Sequence, residues 1–208
     1  MLPLFKTYGD PILMHYINYI SELELGFSFG IQEDSPKINF VDQLLRKVGC
    51  FLIQRQKQHD PSINYVNQSL IEESIESNMY TTIFMNDQRS RSGKLNHLKS
   101  PEYMIQLILR SHMRLLKQKY NIKLVPVCIN QDRIVEANFL IDEMQSGKFK
   151  PGTTFIKMMQ TVVSQEKGCL GNVFVKYEEP IDLNEYVGDG SDFESIAMRL
   201  TKDLYSIQ

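Results

Sequence analysis

The sequence has few cysteines and no long apolar run, and both absences exclude classes of protein. A helix that crosses a bilayer needs roughly 20 consecutive apolar residues, and the 208-residue chain contains no such run. Its three cysteines are Cys50, Cys128 and Cys169, which form no CxxC pair. This spacing predicts reduced thiols and no metal site. We therefore expect an intracellular protein of a reducing compartment, with no metal and no cofactor.

The sequence also lacks an excess of charge of either sign. It has 23 Lys and Arg against 25 Asp and Glu, so the formal net charge is −2. This balance gives no general attraction to nucleic acid, and we predict no nucleic-acid partner; any basic site must be local. A chain of this length is large enough to bury one core. We therefore predict a single domain over residues 1–208.

Short apolar runs alternate with amphipathic segments along the chain. Strands are predicted at 26–31, 50–53, 80–83, 123–129 and 172–177, and residues 132–144 are predicted to be a mixed segment that continues a strand. Helices are predicted from Asp10-Pro11 and at 41–48, 62–77, 101–119, 153–165 and after Ser191-x-x-Glu194. Asp10 fits an N-cap before proline, and Ser191 with Glu194 fits a capping box. The alternation predicts an α/β layered domain with a mixed sheet flanked by helices.

The most basic stretch is FMNDQRSRSGK, residues 84–94. It follows a predicted strand, and the carboxyl ends of strands are where open α/β sheets bind ligands. Arginines in such a loop can hold a phosphate by charge-assisted hydrogen bonds. A lone basic run is more often a solvated turn, but the neighbouring segments favour a site.

Four segments together resemble the glycerol-phosphate acyltransferase family, which acylates glycerol 3-phosphate or dihydroxyacetone phosphate. They are LPLFKTYGD at 2–10, GCFLIQR at 49–55, FMNDQRSRSGK at 84–94 and LVPVCI at 124–129. The corresponding family blocks are approximately LPxHRSxxD, GAFFIRR, FxEGxRSRxGK and VPVxI. The resemblance implies the layered acyltransferase fold. It also implies that the substrate phosphate is bound by Arg55, Arg89, Ser90, Arg91 and Lys94.

The chain departs from these blocks at the catalytic positions. The family's first block supplies a histidine base and, five residues later, an aspartate that orients it. Here the histidine position is Phe5, which has no lone pair, although Asp10 remains. The family's glutamate in the third block is Asn86, followed by Asp87 in place of glycine. We therefore expect no competent catalytic residue. His97 is an alternative base, although an ordinary surface histidine explains it as well.

Three functional interpretations follow from the resemblance and its departures. The leading one is a catalytically inactive pseudoenzyme that serves as a structural subunit of a larger membrane-associated complex, with mitochondria as the expected compartment. The alternative is an active O-acyltransferase of glycerolipid synthesis, with acyl-CoA as co-substrate and a substrate-assisted or relocated base. The third is a non-catalytic module that binds a phospholipid or a phosphate ligand through Arg55 and Arg89.

The first residues suggest where a partner protein would dock. The resemblance implies structural elements before the first block, whereas this sequence begins at that block. We therefore expect Leu2, Leu4 and Phe5 to lie on an apolar surface with an open strand edge, which a partner chain would cover. The alternative is that these residues pack on the core of their own chain.

Overall fold

The computed structural model describes most, but not all, of the chain. It describes residues 1–21 without 5 and 8, and then 28–32, 43, 47, 50–53, 60–77, 79–86, 100–118, 120–134, 137–147, 160, 171–187 and 192–207. The predicted helices at 41–48 and 153–165 therefore lie almost entirely outside the described residues.

The described elements include both strands and helices. In chain order they are β1 (Leu2–Pro3), α1 (Asp10–Ile20), β2 (Ser28–Gln32), β3 (Cys50–Ile53), α2 (Pro61–Glu76), β4 (Thr81–Ile83), α3 (Tyr103–Leu115), β5 (Lys123–Leu124), β6 (Pro126–Gln131), α4 (Ala137–Ser146), β7 (Val173–Tyr177), β8 (Ile181–Asp182), α5 (Asn184–Val187) and α6 (Phe193–Ile207). No helix in these described ranges is long and apolar enough to cross a membrane.

Two three-stranded sheets, one parallel and one mixed, are joined by backbone hydrogen bonds into one six-stranded layer. β2 pairs in parallel with β3 and β4, while β6 pairs in parallel with β1 and antiparallel with β7. Hydrogen bonds from Ile83 N to Met1 O (2.9 Å) and from Met85 N to Pro3 O (3.0 Å) join β4 to β1. The strand order is therefore β3-β2-β4-β1-β6-β7, and of these six strands only β7 runs opposite to the others. β5 and β8 form a separate antiparallel pair.

The core lies between this sheet and the flanking helices. α3 contributes most of its length to the core, including the fully buried Met104, Ile105 and Leu107. It packs against α2 and α6, and α6 adds the fully buried Leu200 and Leu204. The predicted α/β fold, with a mixed sheet and flanking helices, is confirmed.

Two local predictions are corrected. The segment predicted to continue a strand through 132–144 turns instead at Asp132 and enters helix α4. The last helix is capped one residue later than the predicted Ser191: the N–H of Ser195 donates to Asp192 Oδ2 at 3.2 Å. Asp and Ser are comparably good N-caps, so the sequence alone did not decide between these neighbours.

The expectation of an exposed first strand is wrong for Leu2 and Leu4. Leu2 is 1% exposed and Leu4 is 5% exposed, both within the main core cluster. β1 is bonded on both sides, to β4 as above and to β6, where Leu2 N donates to Val125 O at 2.8 Å. Since β1 lies inside the sheet, its own chain satisfies the backbone groups that an open edge would expose.

Shortening a buried side chain of β1 should destabilise the folded chain. Leu2→Ala should lower the free energy of unfolding by about 2–5 kcal/mol, the usual cost of emptying a buried leucine site. Chemical denaturation followed by circular dichroism measures the change. Ile12→Ala is the control, because Ile12 is 46% exposed and should change the value by less than about 0.5 kcal/mol. Equal losses in the two variants would contradict the buried position of β1.

Candidate functional site

The candidate site lies at the carboxyl edge of three neighbouring parallel strands. β4, β1 and β6 run side by side, so the residues that follow them meet at one edge of the sheet. These are Asn86 after β4, the β1–α1 loop (described at residues 4, 6, 7 and 9) and Gln131 at the end of β6. The carboxyl edge is the usual place for ligands in open α/β sheets.

Asp10 is the centre of the hydrogen bonds at this edge. Its Oδ2 accepts from the backbone N–H groups of Lys6 (2.8 Å) and Thr7 (2.7 Å). Its Oδ1 accepts from Thr7 Oγ1 (2.6 Å) and from Gln131 Nε2 (3.0 Å). A carboxylate has about four acceptor positions. All of those on Asp10 are therefore used by its own chain.

The predicted N-cap role of Asp10 is therefore wrong. Asp10 is the first residue of α1, and Gly9 is the N-cap, without a side-chain capping bond. The Asp10 carboxylate points back to the β1–α1 loop and holds it. The same residue type suits both roles, because both need a short side chain that accepts hydrogen bonds from backbone N–H groups.

Burial sets the ionisation of this carboxyl group. Asp10 is 1% exposed. Burial raises the pKa of Asp10 above its usual range, and the hydrogen bonds from Thr7 and Lys6, together with the charge of Lys6, only partly offset this. The buried charge is costly, so the four donors are needed to keep it in place.

Lys6 carries a positive charge at the same edge. Its side chain is exposed, and Nζ donates to the backbone carbonyl of Ile129 on β6 at 3.2 Å. Its backbone N–H is bonded to Asp10. The two bonds place the Lys6 ammonium beside the ends of β1 and β6, where an anionic group could meet it.

Most of the site residues predicted from the sequence lie outside the described residues. These are Phe5, Arg55, Asp87, Arg89, Ser90, Arg91, Lys94 and His97, so their roles stay predictions. Asn86 is described and is 9% exposed, at the same edge as Asp10. Gln131 was missed, although it lies two residues beyond a predicted strand. No sequence pattern pairs it with Asp10, which is 121 residues away.

The described histidines and acidic residues form no second candidate centre. Across the described ranges, no group of three His, Cys, Asp or Glu side chains is placed to hold a metal ion. His112 lies in α3 and is fully buried, and burial lowers its pKa. Cys50 is buried, whereas Cys128 is only partly buried, and neither forms a disulfide with another described residue.

Comparison with known proteins identifies distant relatives. Over 187 residues, 89% of this chain, it is 25% identical to a glycerol-3-phosphate acyltransferase of Pseudomonas paraeruginosa. It is 25% identical to one of Xylella fastidiosa over 90% of the chain, and 26% identical to one of Pseudomonas fluorescens over 89%. The chain spans about a fifth of the length of these curated relatives, 21% in each case. No family model matches the sequence.

Proposed function

We propose that the chain is an acyltransferase domain of glycerolipid synthesis that transfers an acyl group from acyl-CoA to a hydroxyl of glycerol 3-phosphate. The observation that carries the proposal is similarity along 89–90% of the chain to proteins named glycerol-3-phosphate acyltransferase. These names support the active-enzyme interpretation more directly than the inactive subunit. The carboxyl-edge site supports the same proposal, because Asp10 remains in place and organises the loop after β1.

The reaction needs a base for one proton. The substrate hydroxyl oxygen bonds to the thioester carbonyl carbon, the carbon–sulfur bond breaks, and the coenzyme A thiolate leaves. Phe5 has no lone pair to take the hydroxyl proton, and the acceptor positions of Asp10 are occupied. We therefore assign the proton to the phosphate of the substrate itself. A free phosphate monoester has a second pKa of about 6, and the cations that bind it favour the dianion, which is the form that can accept the proton. The proton then passes to the thiolate through solvent.

The basic residues supply the binding in this proposal. Arg55, Arg89, Ser90, Arg91 and Lys94 bind the substrate phosphate, as the resemblance implies. An arginine fork matches the geometry of phosphate oxygens, and each charge-assisted bond is worth roughly 1.5–3 kcal/mol.

A non-catalytic role is the second candidate, and two observations favour it. Position 5 holds phenylalanine in place of a base. The four hydrogen bonds that the Asp10 carboxylate accepts from the described residues all come from its own chain. In this second interpretation the domain is a subunit that binds other protein chains or a membrane surface, and it catalyses no acyl transfer.

A direct assay separates the two candidates. Purified protein is incubated with acyl-CoA and radiolabelled glycerol 3-phosphate, and the acylated product is extracted into organic solvent. We expect product above the uncatalysed rate, reduced about tenfold or more by Arg89→Ala. Lys117→Ala is the charge-matched control, because Lys117 is exposed and lies before β5, away from the candidate site. Folded protein without product would overturn the enzymatic proposal in favour of the non-catalytic one.

A further inference from the structure

We infer that Gln131 is a positioning residue of the candidate site. Its side-chain amide holds the Asp10 carboxylate and, through it, the β1–α1 loop that carries Lys6. This inference rests on the proposed function in taking this loop as part of the substrate site. The hydrogen bond itself joins the end of β6 to the start of α1 across 121 residues of sequence.

The pairing of β1 with β6 stops short of most of this loop. β1 pairs with β6 only at Leu2 and Pro3, so the ladder ends before the loop begins. Among the described residues, two side-chain bonds join β6 to the loop region beyond that point: Gln131 donates to Asp10, and the carbonyl of Ile129 accepts from Lys6. The bond to Lys6 involves a long, exposed side chain, whereas the bond to Asp10 is made to a carboxylate that is 1% exposed. The Gln131 bond is therefore the firmer of the two.

The chemistry of glutamine suits this position. A neutral amide donates to the carboxylate without adding a positive charge, so it leaves the charge of Lys6 as the local attraction for an anion. Gln131 and the hydroxyl of Thr7 together occupy both acceptor positions of Oδ1. Without Gln131, one acceptor of a buried carboxylate would have no donor, which is costly in a low-dielectric environment.

The test replaces the neutral donor by a carboxyl group. In Gln131→Glu, two carboxyl groups lie side by side, so one pKa is strongly raised. At about pH 5 one proton can be shared, and the new side chain still donates to Asp10. At about pH 8 both groups are ionised, repel each other and release the loop. Gln131→Leu lacks the donor at every pH.

The readout is the hydrogen exchange of the Lys6 and Thr7 amides, relative to wild type at the same pH. In Gln131→Leu, exchange should be about tenfold faster or more at every pH. A tenfold change corresponds to a loss of about 1.4 kcal/mol of local stability. In Gln131→Glu the rate should match wild type at the lower pH and rise by a similar factor at the higher pH. Unchanged exchange in both variants would overturn the inference.

Gln68→Glu is the matched control. Gln68 also donates to a carboxylate, Glu72 Oε1 at 2.7 Å, but on α2 and away from the site. It should leave the Lys6 and Thr7 amides unchanged at both pH values. If it accelerates them as Gln131→Glu does, the effect is a general loss of stability and the inference is wrong.

The acyl-transfer assay separates this inference from the proposed function. With a working enzyme, the turnover number of Gln131→Glu at about pH 8 should fall about tenfold as the loop is released, while KM for acyl-CoA stays unchanged. If the wild type forms no product but the Gln131 variants show the expected exchange pattern, the proposed function is overturned and Gln131 remains the residue that holds the loop. Normal turnover with a released loop overturns the positioning role.

Discussion

Asp10→Ala should lower the free energy of unfolding by about 3–5 kcal/mol. The substitution removes the acceptor of two backbone N–H groups, the Thr7 hydroxyl and the Gln131 amide. Each buried donor left without a partner costs about 1–3 kcal/mol, and water can reach those nearest the surface. Urea denaturation at neutral pH measures the loss.

Asp10→Asn is the matched control for this prediction. Its oxygen can keep the bonds from the backbone of Lys6 and Thr7. Its amide can donate to the Thr7 hydroxyl oxygen and to the Gln131 carbonyl once these groups turn. We expect the free energy of unfolding to fall by about 1 kcal/mol or less. The hydrogen bonds of the neutral amide are weaker than those of the carboxylate, but the amide costs less to bury. An alanine variant as stable as the asparagine variant would show that these bonds contribute little.

The wild type and the asparagine variant should also differ in their pH dependence. Burial raises the pKa of Asp10 in the folded chain above the unfolded value of about 3.9. The stabilising contribution of a group shifted in this direction is present below the unfolded pKa and is lost as pH rises through the folded pKa. The asparagine side chain of the variant does not titrate. The stability of Asp10→Asn relative to wild type should therefore increase as pH rises from about 4, and a flat difference would contradict the raised pKa.

The second large effect concerns the substrate. Replacing glycerol 3-phosphate by its phosphate methyl ester should lower the turnover number by about 10²–10⁴-fold, the usual contribution of a general base. The methyl ester keeps one negative charge for the basic residues but has no second ionisation near pH 6. Initial rates at saturating concentrations of both substrates measure the ratio. With glycerol 3-phosphate, the rate should also rise with pH through the second phosphate pKa.

Phe5→His tests whether the methyl ester reacts slowly because the protein has no base at position 5. An imidazole at position 5 has an unperturbed pKa of about 6.5 and can take the proton in place of the phosphate. We expect this variant to use the methyl ester faster than wild type does, so that the ratio between the substrates falls. If wild type turns over both substrates equally, the base belongs to the protein and the substrate-assisted step is wrong.

Much of the fold could be predicted from local pattern. β3 and α2 lie within about a residue of their predicted bounds, because an apolar run of four residues and a proline-initiated amphipathic segment are strong local signals. The position of β1 could not be predicted in this way. Leu2 and Pro3 form a very short strand, and nothing local shows that β4 and β6 lie on either side of it.

The sequence likewise shows some features of the candidate site, and only the folded chain shows the others. Residue type and spacing were enough to establish that Phe5 cannot act as a base, that Asp10 is present and that basic residues follow the strand β4. The role of Asp10 became clear only in the folded chain. Its partners are two nearby backbone amides, one hydroxyl and the distant Gln131. A buried carboxylate takes whichever donors the fold brings within hydrogen-bonding distance, and the parallel pairing of β1 with β6 brings Gln131 there.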